Sequence, residues 1–354
     1  MKRTENLNLV DISPLTSPKN LKELLPVSKT AAETVIQARN SIKSILAGED
    51  QRLLVIVGPC SIHDPNAARD YASRLQPLIH ELADDLHIIM RVYFEKPRSV
   101  VGWKGLINDP YLDGSFQIND GLHIARKLLL DLAEMGVPAA TEYLDLISPQ
   151  YIADLVSWGA IGARTTESQA HRELASGLSC PVGFKNATDG GLQIAVDACL
   201  SASKPHHFMS LTKDGHSAIF STTGNPDCHV ILRGGKKPNY DQTSIDEAAE
   251  VIGRSGQPVR MMVDCSHANS GKDHLQQEVV GRLLAEQIAS GDNRIIGLML
   301  ESNLVAGRQN VEADKELVYG QSITDACMAW ENSEPLLREL AAAVRQRRKN
   351  SAAA

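Results

Sequence analysis

Short apolar runs alternate with helical patterns along most of the chain, and this alternation restricts the possible folds more than any other feature. The first run is LLVIVG at residue 53, and seven more follow at residues 87–94, 137–143, 160–165, 181–186, 228–235, 259–267 and 294–302. Near-continuous apolar strands joined by helices are typical of a parallel sheet that helices cover. Eight such units predict an α/β fold, a closed (β/α)8 TIM barrel. The alternative is an open doubly wound sheet, but no GxGxxG motif follows the first strand.

Two segments fall outside these eight units. Residues 1–48 contain an amphipathic helical pattern, AAETVIQARNSIKSILAG, which a barrel does not need. Residues 206–224 predict two short strands around Lys213-Asp214-Gly215, a β-hairpin inserted before the sixth barrel strand. We therefore expect a barrel over residues 49–354 that includes the hairpin. The extension over residues 1–48 is expected to serve subunit contacts or regulation.

Composition excludes two classes of function. The 354 residues include 36 Lys and Arg against 43 Asp and Glu, a net charge of -7. A mildly acidic chain lacks the basic surface of a nucleic-acid-binding protein, and no apolar run approaches the roughly 20 residues that cross a bilayer. Six dispersed cysteines without a signal segment indicate reduced thiols, so we expect a cytoplasmic protein.

A polar or reactive side chain falls at the predicted end of every barrel strand. In chain order these are Cys60, Arg91, Glu142, Arg164, Lys185, Arg233, His267 and Glu301. The carboxyl ends of the strands form the active face of a TIM barrel. The pattern therefore predicts one site assembled from all eight strands.

Six cations are expected to point into this site, and they indicate a ligand with dense negative charge. They are Arg91, Lys96, Arg98, Arg164, Lys185 and Arg233. Arginine binds phosphate and carboxylate groups through paired hydrogen bonds. The alternative is a set of salt-bridged strand ends, but the strand ends carry too few acids to neutralise six cations.

A second group of side chains suits a metal ion. Cys60, His267 and Glu301 come from three different strands, and Asp325 in YGQSITDAC can supply a fourth ligand. A thiolate, an imidazole and carboxylates together suit Mn²⁺, Fe²⁺, Co²⁺ or Zn²⁺. They do not suit Mg²⁺ or Ca²⁺, which prefer oxygen ligands only.

Nine segments of the sequence carry a family resemblance. They are GPCSIHD, RVYFEKPR, VGWKGLINDP, IGARTTESQ, PVGFKN, ILRGGKKPNY, VDCSHANS, LMLESNL and YGQSITDAC. In this order they resemble 3-deoxy-D-arabino-heptulosonate-7-phosphate (DAHP) synthases, the feedback-regulated microbial enzymes that begin the shikimate pathway. The similarity runs from about residue 10 to about residue 347.

The resemblance implies a transferase that condenses phosphoenolpyruvate with D-erythrose 4-phosphate and releases phosphate. It implies one divalent ion per subunit, Mn²⁺ first with Fe²⁺, Co²⁺ and Zn²⁺ as alternatives, held by Cys60, His267, Glu301 and Asp325. Phosphoenolpyruvate would be held by Arg91, Arg164, Lys185 and Arg233 with the backbone of Gly162 and Ala163. The aldose phosphate would be held by Lys96, Arg98 and Ser99, and Glu142 would lie among the cations. Lys96, Cys60, His267 and Asp325 would be the catalytic residues.

The resemblance also implies inhibition by an aromatic amino acid in a separate pocket, and a homodimer or homotetramer. The matching pocket positions are Ile147, Pro149, Gln150, Leu178, Ser179, Phe208, Ser210 and Phe220. Glycine at position 210 would leave room for a tyrosine hydroxyl, and serine fills that space. We therefore expect Phe to inhibit more strongly than Tyr.

Three alternatives remain at this point. A synthase that makes the eight-carbon sugar phosphate of lipopolysaccharide (KDO 8-phosphate) shares the barrel and the use of phosphoenolpyruvate, although residues 1–48 and the hairpin argue against it. A Schiff-base aldolase would use Lys96 or Lys185 as its nucleophile and need no metal. A non-catalytic barrel that senses an amino acid would have no use for the strand-end residues.

Overall fold

Eight parallel strands close into a ring, which confirms the predicted barrel. The computed structural model describes residues 4–98, 100–312 and 315–353. Each ring strand pairs with the next along the chain, and the last pairs with the first. Numbered in chain order with the strands outside the ring, they are β1 (Leu53–Gly58), β2 (Leu86–Arg91), β3 (Ala139–Glu142), β4 (Trp158–Ile161), β5 (Val182–Lys185), β8 (Cys228–Leu232), β9 (Met261–Asp264) and β10 (Ile295–Asn303).

The remaining strands of the described residues lie outside the ring. The predicted hairpin is present just before β8, with β6 (His207–Leu211) antiparallel to β7 (Ser217–Ser221). Two short pairings follow β10: β11 (Val305–Arg308) pairs with β12 (Gln321–Ser322), and β13 (Met328–Ala329) pairs with the end of β10.

Helices surround the ring. They are α1 (Pro18–Leu24), α2 (Lys29–Ala47), α3 (Pro65–Glu81), α4 (Ile118–Glu134), α5 (Pro149–Ile152) with a 3-10 turn (Ala153–Leu155), α6 (Gln169–Gly177), α7 (Gln193–Ala202), α8 (Gln242–Arg254), α9 (Gln276–Ala289) and α10 (Trp330–Ala353). Helix α3 begins at Pro65, because the Asp64 carboxylate accepts a hydrogen bond from the Asn66 amide at 2.8 Å and proline is favoured in the first turn. Over the residues described, no helix combines the length and apolarity needed to cross a membrane.

The core has two layers because side chains of a strand alternate between its faces. On β1, Leu54 and Ile56 point into the ring, where they join a cluster with Trp158 and Met262. Leu53 and Val55 point outward into the larger cluster between the ring and the helices. All of these side chains are fully buried.

Helix α2 closes the amino-terminal end of the ring. Its Ala38, Ile42 and Ile45 belong to the inner cluster, against Leu54 and Ile296 near the starts of β1 and β10. All three residues are buried within the chain, so this face of α2 packs on the base of the ring. Amphipathicity alone does not say which hydrophobic surface a helix covers.

We predict that Ile42→Ala lowers the free energy of unfolding by about 2–5 kcal/mol, because it leaves a cavity at the base of the ring. Ile36→Ala on the same helix is the matched control, since Ile36 is 55% exposed; its effect should stay within about 0.5 kcal/mol. Urea denaturation followed by circular dichroism measures both. Equal losses in the two variants would contradict the placement of α2 in the core.

Candidate active site

The carboxyl ends of the ring strands surround a cavity of about 270 Å³, here called the rim cavity. Most of the predicted site residues line it: Arg91, Lys96, Arg98, Glu142, Gly162, Ala163, Arg164, Lys185, Arg233, His267 and Asp325. All six predicted cations are therefore among its walls. Sequence reasoning missed a seventh cation, Lys272, which lies in the same loop as His267. The predicted Ser99 lies outside the described residues.

The strands are shorter than predicted, so several site residues do not end a strand. Arg91, Glu142 and Lys185 are the last residues of β2, β3 and β5. Glu301 lies two residues before the end of β10. The others, Cys60, Arg164, Arg233 and His267, fall in the loops just after β1, β4, β8 and β9. After β1 the chain turns at Gly58, whose φ of 153° favours glycine, and a Cβ there would lie 2.8 Å from the Arg91 carbonyl oxygen.

Three of the four predicted metal ligands lie together. The ligand atoms of Cys60, Glu301 and Asp325 are all within 4.8 Å of one another. Cys60 and Glu301 are buried, whereas the Asp325 side chain is partly exposed toward the rim cavity. The fourth, His267, has its Nε2 atom 4.0 Å from Glu301 Oε1. His267 thus lies beside the cluster and is not among the residues whose ligand atoms are all within 4.8 Å of one another.

The ammonium group of Lys96 lies against this cluster. Its Nζ is 2.7 Å from Asp325 Oδ2 and 2.9 Å from Cys60 Sγ. Burial alone would lower the pKa of Lys96, but the anionic surroundings of Cys60, Glu301 and Asp325 raise it. Burial opposes ionisation of Asp325 as well, yet Lys96 holds the pKa of that carboxyl below its ordinary value. The cluster therefore attracts positive charge.

A buried carboxylate that the sequence analysis missed, Asp264, connects the two halves of the site. Its Oδ2 lies 3.1 Å from Lys185 Nζ and 2.9 Å from His267 Nδ1, and its Oδ1 accepts hydrogen bonds from Ser266. Burial opposes ionisation, but Lys185 and His267 keep the pKa of Asp264 well below its ordinary value. Nδ1 of His267 also lies 2.6 Å from Ser266 Oγ, so Ser266 and Asp264 together engage this nitrogen and Nε2 is the one left toward Glu301.

Arg91 is held on several sides. Its guanidinium donates to Glu301 Oε1 at 3.0 Å and to the carbonyl oxygens of Pro59 and Cys60, and it stacks over Tyr93. Together with Lys96–Asp325 and Lys185–Asp264, this makes three ion pairs. Acidic partners are therefore present for three of the six predicted cations.

The other three predicted cations are free of ion pairs with the residues described, namely Arg98, Arg164 and Arg233. Arg98 Nε donates to the Trp103 carbonyl oxygen at 2.8 Å. The backbone amide of Arg233 donates to Asn186 Oδ1 at 2.8 Å, which fixes the loop after β8. These three guanidinium groups supply the charge that an anionic ligand would meet.

Gly162 packs directly against the carboxylate of Glu142. A Cβ at Gly162 would lie 2.0 Å from Glu142 Oε1, so only glycine leaves room for that carboxylate. The turn after Gly162 is closed by the amides of Thr165 and Thr166, which donate to the Gly162 carbonyl oxygen. This turn presents Ala163 and Arg164 to the rim cavity.

A larger cavity of about 580 Å³, the side cavity, lies between α2, α5, α6 and the hairpin. Seven of the eight positions proposed for an effector line it: Pro149, Gln150, Leu178, Ser179, Phe208, Ser210 and Phe220. Ile147 is absent from its walls and is 41% exposed, because the turn before α5 directs it outward. Lys22, Arg39, Asp154 and Lys213 add charged groups to the same walls.

The geometry thus supports two kinds of chemistry. The rim cavity can hold two anionic groups between its cations, beside a cluster of donors that suits a borderline divalent ion. The side cavity combines aromatic walls with charged groups of both signs. Such a cavity suits a small zwitterion that carries an aromatic side chain.

Comparisons with known proteins agree on one family. The model of the family described as "DAHP synthetase I family" matches residues 26–338. The chain is 59% identical over 346 residues to the "Phospho-2-dehydro-3-deoxyheptonate aldolase, Phe-sensitive" of Escherichia coli (strain K12), which covers 98% of this chain and 99% of that protein. It is 53% identical over 336 residues to the Tyr-sensitive protein of the same strain, with 95% and 94% covered.

A solved structure is similarly close. The phospho-2-dehydro-3-deoxyheptonate aldolase from Francisella tularensis SCHU S4 superposes with a TM-score of 0.94 at 52% sequence identity. The match covers 96% of this chain and 99% of that chain. The similarity therefore extends over nearly the whole of both chains.

We predict that Asp264→Asn lowers the free energy of unfolding by about 3–5 kcal/mol at neutral pH, because it leaves buried Lys185 without a counter-charge. Asp246→Asn is the control, since the Asp246 carboxylate pairs with Arg294 at the surface and is 56% exposed; its effect should stay below about 1 kcal/mol. Urea denaturation compares the two. A loss no larger in Asp264→Asn than in the control would refute the role assigned to this carboxylate.

Proposed function

The chain belongs to the DAHP synthetase I family, and we propose that it condenses phosphoenolpyruvate with D-erythrose 4-phosphate and water. The products are DAHP and inorganic phosphate, and the reaction is the first step of the shikimate pathway. The observation that carries the proposal is the convergence of six predicted cations on one cavity beside the Cys60, Glu301 and Asp325 cluster. All six cysteines carry free thiols, and we propose a cytoplasmic location, where thiols are kept reduced.

Phosphoenolpyruvate is assigned to the cations at or just after the ends of β2, β4, β5 and β8. Its phosphate and carboxylate would be held by Arg91, Arg164, Lys185 and Arg233 and by the backbone of Gly162 and Ala163. Lys185 is fixed by Asp264, and the Arg233 loop is fixed by Asn186, so these donors are organised before the ligand arrives. Preorganised donors lose less conformational freedom on binding.

Erythrose 4-phosphate is assigned to the loop that follows β2. Arg98 and Ser99 would meet its phosphate, and Lys96 would lie nearer its aldehyde. Two anionic substrates repel each other, and the cations of the rim cavity offset that repulsion. Holding the reacting carbons in contact can supply about 7–11 kcal/mol of the barrier.

The donor set fits a divalent ion. Cys60, Glu301 and Asp325 lie within 4.8 Å, the Nε2 atom of His267 is 4.0 Å from Glu301, and Asp264 fixes the opposite ring nitrogen. These four residues would hold the ion, with Mn²⁺ first and Fe²⁺, Co²⁺ or Zn²⁺ as alternatives. When bound, such an ion supplies Lewis acidity for an aldehyde oxygen.

The reaction joins C3 of phosphoenolpyruvate to the aldehyde carbon. The electron pair of the enol double bond forms the new C–C bond, and the aldehyde oxygen gains the negative charge and then a proton. The Lys96 ammonium can donate a hydrogen bond as that charge develops. Loss of the enol electron pair leaves C2 as an oxocarbenium ion; water adds there and releases one proton, which balances the proton taken up by the aldehyde oxygen, to give a hemiketal phosphate. Cleavage of its C2–O bond, with the hydroxyl proton passing to the departing phosphate, leaves the keto group. Arg164, Lys185 and Arg233 would stabilise the departing phosphate.

The Schiff-base alternative is disfavoured by the surroundings of both lysines. Lys96 is paired with Asp325 and Lys185 with Asp264, whereas a Schiff base needs a neutral amine. The alternative synthase of the eight-carbon sugar phosphate is distinguished by the aldose phosphate that it accepts. Phosphate release should be faster with erythrose 4-phosphate than with arabinose 5-phosphate, and borohydride should trap no adduct.

We predict that EDTA abolishes phosphate release and that Mn²⁺ or Co²⁺ restores it. Cys60→Ala and His267→Ala should each lower the rate by at least about 100-fold, because each removes a ligand. Cys199→Ala is the matched control, since Cys199 is equally buried but lies on α7. Full activity in either ligand variant, or indifference to EDTA, would show that the cluster does not serve the reaction.

The side cavity is assigned to an aromatic amino acid, with phenylalanine favoured over tyrosine. Phe208 and Phe220 face each other across the hairpin with ring centroids 6.0 Å apart, and Ser210 lies on the same face of β6. Lys22, Arg39 and Lys213 can meet a carboxylate. The first relative named above is called Phe-sensitive. Its sequence identity to this chain, 59%, exceeds the 53% identity of the Tyr-sensitive relative.

We predict that phenylalanine at about 1 mM inhibits phosphate release more strongly than tyrosine at the same concentration. Ser210→Gly should shift the ratio of tyrosine inhibition to phenylalanine inhibition by roughly 10-fold in favour of tyrosine. The substitution opens space in the side cavity and removes the steric conflict with the phenol oxygen. Ser217→Gly, on the partner strand and exposed, is the control. Stronger inhibition of the unmodified protein by tyrosine would contradict the assignment.

A homodimer or homotetramer is proposed from the exposed apolar face of the hairpin and the extended amino-terminal arm. Met209 and Ile219 are cross-strand partners, 88% and 78% exposed, and Val10 and Ile12 in the arm are exposed as well. Exposed apolar patches of this kind mark subunit contacts. In this assignment residues 1–48 form a regulatory and oligomerisation extension, and residues 49–354 form the catalytic barrel. Sedimentation velocity measures the subunit number, and a monomer would exclude the proposal.

A further inference from the structure

The strand that carries Glu301 continues beyond the end of its neighbour in the ring. Strand β9 ends at Asp264, whose register partner on β10 is Met299. The Cys265 amide donates one further hydrogen bond, to the Met299 carbonyl oxygen at 2.9 Å. Strand β10 runs on to Asn303. Glu301 therefore lies at a level of the ring where β9 has already ended.

The chain after β9 leaves the sheet to form the turn that holds His267. This residue has a φ of 56°, in the left-handed region that few residues other than glycine adopt. Its carbonyl oxygen accepts a hydrogen bond from the Lys272 amide at 2.7 Å, which closes the turn. An extended strand cannot contain such a turn. The placement of His267 thus removes the strand that would otherwise pair with Glu301.

The side chain of Gln277, in the first turn of α9, occupies the place of the missing strand. The Glu301 amide donates to Gln277 Oε1 at 2.8 Å, and Gln277 Nε2 donates to the Glu301 carbonyl oxygen at 3.2 Å. A carboxamide offers an acceptor and a donor, as a peptide unit does. Met299 and Glu301 are two residues apart, so their backbone groups face the same edge of β10. Gln277 therefore provides at Glu301 the pairing that β9 provides at Met299.

Burial makes this pairing important for the position of the strand. Gln277 is 1% exposed and Glu301 is 2% exposed, so bulk water cannot take the place of either partner. A buried peptide group without a hydrogen-bond partner costs free energy comparable to a lost hydrogen bond. A strand that lost Gln277 would move to reduce that cost. The Glu301 side chain would move with it.

The position of the Glu301 carboxylate decides the geometry of the donor cluster. Its Oε1 lies 4.0 Å from His267 Nε2, and it shares the cluster with Cys60 and Asp325. Gln277 lines a small void of about 10 Å³ together with His267, Glu301 and Asp325. It is not among the residues that line the rim cavity. Gln277 therefore acts on the cluster through Glu301 and not through contact with a substrate.

We propose that Gln277 is a positioning residue of the divalent-ion site. By pairing with the backbone of Glu301, it holds that carboxylate in the cluster while the chain after β9 turns away to place His267. The inference rests on the proposed function, because the ion is part of that proposal. Removal of a group that orients a metal ligand typically weakens metal binding by about 10–100-fold. Gln277 acts on the main chain, so the ligands stay the same and the affinity changes.

The test removes the carboxamide and keeps the length of the side chain. Gln277→Met does this with a flexible, unbranched residue. Gln287→Met is the matched control, because Gln287 lies on the same helix and donates to the Tyr240 carbonyl oxygen at 3.0 Å. Ile42→Ala is a second control, since it should destabilise the fold at the opposite end of the ring. The full chain, freed of metal with EDTA, is titrated with Co²⁺, and the thiolate-to-cobalt absorption of Cys60 gives the Kd.

Gln277→Met is expected to raise the Kd for Co²⁺ by about 10–100-fold. Gln287→Met and Ile42→Ala should bind Co²⁺ as the unmodified protein does. Hydrogen–deuterium exchange of the metal-free protein gives a second readout that needs neither ion nor turnover. The Glu301 amide should exchange at least about 10-fold faster in Gln277→Met than in Gln287→Met, because its hydrogen-bond acceptor is gone.

If Gln277→Met does not fold, Gln277→Asn takes its place, because its shorter side chain cannot reach the Glu301 backbone and should give the same rise in Kd. An unchanged Kd, a raised Kd with the Glu301 amide still protected, or an equal rise in either control would overturn the inference. An unmodified protein that binds Co²⁺ but releases no phosphate from the two substrates would refute the proposed reaction alone. Failure of the unmodified protein to bind Co²⁺ would refute the divalent-ion site, and the inference with it.

Discussion

The pairing of β1 with β10 is the constraint on which the rest of the site depends. Gly58 is the register partner of Glu301 across this pair, and Cys60 follows two residues later. Because all eight strands are parallel, closing the ring brings every carboxyl end to one rim. Ligand groups that are more than 200 residues apart in the chain therefore meet within a few ångströms. No local sequence motif could build this cluster, which explains why its spacing alone is uninformative.

Concentrating charge at one rim costs free energy, and the structure offsets that cost by pairing. Removing an ion from water is unfavourable by several kcal/mol even after relaxation. The most deeply buried cations, Arg91 and Lys185, accordingly have buried acidic partners in Glu301 and Asp264. Arg98 and Arg164 are exposed and keep their hydration. The guanidinium groups of Arg98 and Arg164 thus lie where water can solvate them before an anion binds.

Most of the architecture could be predicted from the sequence, because it follows from repeated patterns. Alternating strands and helices give the ring, and the Lys213-Asp214-Gly215 turn gives the hairpin. The cations of the rim cavity could be found because they follow apolar runs. Asp264 and Glu95 could not be found in this way, since each stands inside or beside a buried apolar run. Their contacts include residues distant in the chain, Lys185 for Asp264 and Ser148 for Glu95. The same limit applies to α2, whose amphipathic pattern does not reveal that it closes the ring.

The side cavity and the Cys60, Glu301 and Asp325 cluster are built from different elements of the fold. The walls of this cavity come from α2, α5, α6 and the hairpin, none of which carries a ligand of the Cys60, Glu301 and Asp325 cluster. Asp264, which organises Lys185 and His267, lies at the end of β9 and touches none of these walls. Among the cavity's neighbours in the described chain, the turn before α5 has the most direct hydrogen bonds to a loop of the rim. An occupant of the side cavity would therefore contact elements other than those that assemble the cluster.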